Sequence, residues 1–176
     1  MTRWLIVLTA ALAATCLLSG ARADSPAAQK MRIGIYDTRS IAVAYARSSL
    51  MADRLKQMKQ DRDAAKAAGD EKKVKEIEAR GAALQRQLHR QGFSNMPVDD
   101  LMSSVKDVLP QVAKDANVSA IAPRVNFSDD GSVEVVDVTD KLVAIFKPDE
   151  KTTQIIAELK NHPPVDLDEL EKTHTH

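Results

Sequence analysis

The chain has 176 residues, with 25 Lys or Arg against 25 Asp or Glu, and a pI of about 6.9. One cysteine excludes a disulfide scaffold, and 3% aromatic content leaves no surface of interleaved basic and aromatic side chains for nucleic acid. The near-neutral balance argues against tight binding to anionic lipid, so membrane-surface contact is at most weak.

The N-terminus has the three parts of a secretory signal peptide. Arg3 supplies the positive start, Leu5 to Leu18 an apolar run, and Ala21-Arg22-Ala23 a small-x-small cleavage site. Cleavage is expected after Ala23, giving a soluble periplasmic protein. Cys16 lies in the apolar run behind Ala13-Ala14-Thr15, which lacks the pattern that lipoprotein processing prefers. Its removal leaves no cysteine, so packing or oligomerisation must hold the mature chain together.

Arg32-Ile33-Gly34-Ile35-Tyr36-Asp37 reads as a first strand, residues 32–37. Residues 40–91 then read as a helical hairpin. Its first half carries apolar or small residues at Ile41, Ala44, Ser48, Met51, Leu55, Met58 and Ala65, its second at Val74, Ile77, Gly81, Leu84 and Leu88. Two seams of one period predict paired helices. Between them Gly69 suits a left-handed helix end, and Asp70 caps the next helix. Residues 47–91 hold 12 basic against 7 acidic side chains, and residues 92–176 hold 8 against 16. The hairpin is therefore basic and the remainder acidic. Taken alone it is either a solvated spacer or an arm that touches a partner.

Pro97, Asp99 and Asp100 start a further helix with an apolar face of Leu101, Val105, Val108, Leu109 and Val112, which Pro110 must kink or split. Residues 118–122, 125–127 and 133–136 read as short strands, with Ser128-Asp129-Asp130-Gly131 as a turn. Asp137 or Thr139 then caps a helix bearing Leu142, Val143, Ile145 and Phe146. A last amphipathic helix (Ile155, Ile156, Leu159) leads through His162-Pro163-Pro164 to an acidic tail.

These elements predict an α+β fold: a small β-sheet body with a long antiparallel coiled-coil helical hairpin inserted after the first strand. The domain boundaries are a signal peptide at 1–23, a domain at 24–146 with its body at 97–146, and a C-terminal helix and tail at 147–176. A body this small leaves sheet edges and an apolar face exposed, which self-association would cover.

The order of elements, and above all Val135-Val136-Asp137-Val138-Thr139-Asp140-Lys141-Leu142-Val143 running from strand to helix, resembles the Skp, or OmpH-like, family of periplasmic chaperones. The resemblance covers residues 32–146. It implies a homotrimer whose subunits pool their strands into a barrel-like body, with helical arms around a cavity that holds unfolded outer-membrane proteins without ATP. The hairpin is shorter than is usual in that family, and the C-terminal extension lies outside the resemblance.

No catalytic, cofactor-binding or metal-binding residues are identified, so the chain is expected not to be an enzyme. Asp37, Asp137 and Asp140 are the carboxylates that could meet in space, but Asp at a strand-to-helix junction is usually a cap. His89 sits on the hairpin, His162 before two prolines, and His174 and His176 in the tail. The expected function is an ATP-independent periplasmic holdase for unfolded outer-membrane or envelope proteins. The alternative is a non-catalytic envelope adaptor that binds one folded partner.

Overall fold

A computed structural model describes residues 30–124 and 131–173, with the side chains of 171–173 left aside. The strand expected at 125–127, the turn at 128–130, the signal peptide, His174 and His176 lie outside the described residues.

Three strands, β1 (Met31–Tyr36), β2 (Ala120–Pro123) and β3 (Val133–Asp137), form a sheet in the order β2-β1-β3. Both pairings are parallel, with Ile33 opposite Ala120 on one side and Val135 on the other. The helices are α1 (Thr38–Ala46), α2 (Ser49–Ala67), α3 (Glu71–Phe93), α4 (Asp99–Ser103), α5 (Leu109–Asp115), α6 (Thr139–Ile145), α7 (Glu150–Leu159) and α8 (Leu167–Thr173).

The fold class is therefore corrected. The protein is α/β, with an all-parallel sheet and packed helices, and not an α+β body carrying an antiparallel coiled-coil hairpin. A parallel pair needs a long crossover, and residues 38–119, helices included, are that crossover from β1 to β2. The expected first hairpin helix is two helices. Ser48, placed on the seam by its spacing, instead caps α2 by accepting the Met51 N–H, which frees α1 to pack in the body. α3 then lies against α1 as well as α2, with Leu84 in the main core, Leu88 half-buried against it, and Gly92 close to Val43. Leu55, expected on the seam, is half exposed. Further along, α2 and α3 share a small cluster of Ala65, Val74 and Ile77 with Met58 against it. Gly69 takes φ +71° in the turn between them, and Asp70 accepts the Lys73 N–H.

The core fills the space between the helices and one sheet face. Ile41, Leu101, Val138 and Leu142 are at most 1% exposed, each worth roughly 1.5–3 kcal/mol of burial. Gly34 lets the central strand approach this layer: a Cβ there would meet Val138 Cγ1 at 3.1 Å and Val118 Cγ2 at 3.2 Å. Pro110 sits in the first turn of α5, where its missing N–H costs nothing, and the expected single helix becomes α4, a 3₁₀ turn at Lys106–Val108, and α5.

On the other sheet face stand Met31, Ile33, Ile35, Val133 and Val135, by the alternation of side chains along a strand. None of these belongs to a core cluster among the described residues, and Met31 and Val135 are exposed.

Candidate functional site

All three strands point their carboxyl ends to one edge, the usual ligand side of a parallel sheet. Two strand-to-helix junctions lie side by side there. Asp37 ends β1 and caps α1, accepting the N–H of Arg39 at 2.8 Å and of Ser40 at 3.3 Å. Asp137 ends β3 and accepts the N–H of Thr139 at 2.9 Å at the start of α6. The buried Thr139 hydroxyl ties the junctions together, for its oxygen accepts the Asp37 N–H at 3.0 Å.

Three cations surround these carboxylates. Arg39 is buried; its Nη2 meets Asp37 Oδ2 at 3.0 Å, and its Nη1 donates to the His162 carbonyl at 2.8 Å. Arg124, just past β2, reaches Asp137 Oδ2 at 2.5 Å, and Lys160, after α7, reaches Asp140 Oδ1 at 2.7 Å. Partial burial pushes the Asp137 carboxyl up, but hydrogen bonds from the Thr139 hydroxyl and N–H and the charges of Arg124 and Lys160 outweigh it and hold it below the ordinary aspartate value. The result is a cleft of about 360 Å³, walled on one side by Pro163 and Pro164.

Of the three aspartates singled out in the sequence, Asp37 and Asp137 line the cleft and Asp140 stands outside it, paired with Lys160. Asp37 caps α1, but the N-cap of α6 is Val138 without a side-chain cap, so the cap expected from Asp137 or Thr139 is not formed. Arg39, Arg124 and Lys160 carry no sequence signal for their role, because they come from three elements far apart in the chain. His162 lines the cleft, whereas His89 lies on α3 with its ring 4.6 Å from that of Phe93. Among the described residues no three His, Cys, Asp or Glu side chains are grouped to hold a metal ion.

A second surface is apolar. The N-terminal end of α2, the 3₁₀ turn and the end of α6 enclose a groove of about 310 Å³. Val105 and Phe146 are buried in its lining, while Leu50 and Val108 stand 42% and 44% exposed. Ser49 and Ser104 add hydroxyls, and Asp107 and Lys147 add one charge of each sign. The exposure of Val108 follows from the break in its helix, which turns this residue out of the face that its spacing predicts.

Among the described residues no helix is long and apolar enough to cross a membrane. No protein-family model, curated protein or solved structure matches the chain.

Proposed function

We propose that this protein is a non-catalytic periplasmic holdase that binds unfolded outer-membrane or envelope polypeptides without ATP. The observation that carries the reading is the apolar groove between α2, the 3₁₀ turn and α6. A stretch of unfolded chain can place one large apolar side chain over Val105 and Phe146, between Leu50 and Val108. Hydroxyls of Ser49 and Ser104 are available to its backbone, and the opposite charges of Asp107 and Lys147 give no preference for one client charge. The signal-like N-terminus and the basic balance of residues 47–91 support the same reading, the latter by attracting acidic client segments. So does the resemblance to the OmpH-like chaperones in residues 32–146.

Self-association belongs to this proposal. Parallel sheets are normally covered on both faces, and here Met31 and Val135 stand exposed on the face opposite the helical core. A second copy of the chain is the occupant we assign to it, and three copies is the number that the resemblance implies. The test is the mass of the mature chain by light scattering coupled to size exclusion; a monomer at high concentration contradicts this part.

The adaptor reading has one observation in its favour. Arg39 and Lys160 pin the segment after α7 to the body, building a continuous folded surface beyond the resemblance. A crosslinked pull-down separates the two: many unfolded clients support the holdase, and a single native partner the adaptor.

A further inference from the structure

The cleft at the carboxyl ends of the strands takes no part in polypeptide holding as proposed above. We infer that it binds a small oxyanion, a carboxylate or phosphate group, between the guanidinium of Arg124 and the ammonium of Lys160.

The donors are the first argument. Arg39 is buried, with each of its three nitrogens in contact with the protein: Nε and Nη2 with Asp37, and Nη1 with the His162 carbonyl. Arg124 gives one Nη2 contact to Asp137, and Lys160 gives one Nζ contact to Asp140. A guanidinium carries five N–H donors and an ammonium three, and no acceptor among the described residues takes the rest. Charge sets the competition: Asp140 lies outside the lining but pairs with Lys160 at 2.7 Å, so three carboxylates match the three cations, and an incoming oxyanion competes with Asp137 for Arg124 and with Asp140 for Lys160.

Position is the second argument. Arg124 and Lys160 line the same cleft, with Arg124 2.5 Å from Asp137 Oδ2. The cleft lies at the carboxyl edge of a parallel sheet, where ligands of such folds bind. The volume of about 360 Å³ suits a small ligand. Asp137 already occupies part of Arg124, so an incoming oxyanion competes with it.

The test uses the mature chain from Asp24, titrated separately with sodium acetate and sodium phosphate at constant ionic strength and followed by amide chemical shifts. Saturable shifts confined to the amides of Asp37, Arg39, Thr139, Lys160 and Asn161 are expected with at least one of them, and which one responds identifies the source as a carboxylate or a phosphate. Arg124→Gln with Lys160→Gln weakens binding by about tenfold or more, as expected for loss of two charge-assisted contacts. Asp137→Asn tightens binding severalfold by releasing Arg124. Absence of localised saturable shifts in the unaltered chain overturns the inference, as does a titration that the double substitution leaves unchanged. Client protection is not read in this experiment, so its outcome is independent of the holdase reading.

Discussion

The Asp37 N–H donates to Thr139 Oγ1 at 3.0 Å, joining two junctions 102 residues apart in the chain. Through this bond the end of the central strand and the start of α6 are fixed to each other inside the protein.

Thr139→Val keeps the shape of the side chain, which is 0% exposed, and removes the acceptor, leaving the partly buried Asp37 N–H without its partner. The expected cost is about 1–3 kcal/mol, read as a lower urea midpoint with an unchanged slope. Thr139→Ser restores most of it; equal losses in both variants would mean that methyl packing, not the hydroxyl, matters here.

Gly34→Ala forces a Cβ to within 3.1 Å of Val138 and 3.2 Å of Val118. Both neighbours are β-branched and stiff about χ1, so they give way poorly. We expect a loss of about 1–3 kcal/mol, seen as a lower Tm, and partial recovery when Val138→Ala is added. A Tm equal to the original would show that the α6 layer can move aside.

Acid should weaken the fold in a defined window. Asp137 and Asp149 are both held below the ordinary aspartate value. For Asp137 burial opposes the shift, and Thr139, Arg124 and Lys160 override it; for Asp149 the hydrogen bonds from Thr152 come first. A depressed folded pKa means that the unfolded chain binds more protons between the two values, so this stability is present above about pH 4. It is lost as pH falls through the folded values. Denaturant titrations from pH 7 to pH 3 should show the decline, and Asp137→Asn should flatten it; an unchanged slope in that variant would remove Asp137 from the account.

Local chemistry was legible in the sequence and long-range pairing was not. Gly69 and Asp70 mark their turn because left-handed backbone and an N-cap are properties of single residues. Asp37 identifies itself as a cap for the same reason, whereas at α6 the cap position falls on Val138, one residue past the aspartate that the sequence offers. The parallel sheet is different: β1 pairs with strands from Ala120 and Val133 onward, and short apolar runs say nothing of direction. Helix periodicity misled at Ser48, since a residue at the seam spacing also fits a cap, and the cap won. At the carboxyl edge the aspartates could be named, but Arg124 and Lys160 reach them only after folding brings three elements together.

The most direct measurement of the central claim is light scattering during dilution of an unfolded outer-membrane β-barrel protein into buffer with excess mature chain. The account predicts strong suppression of aggregation without ATP, largely lost when Leu50→Glu and Val108→Glu are combined in a variant of unchanged circular dichroism. Aggregation that proceeds as in buffer alone, or full protection by that variant, would contradict it.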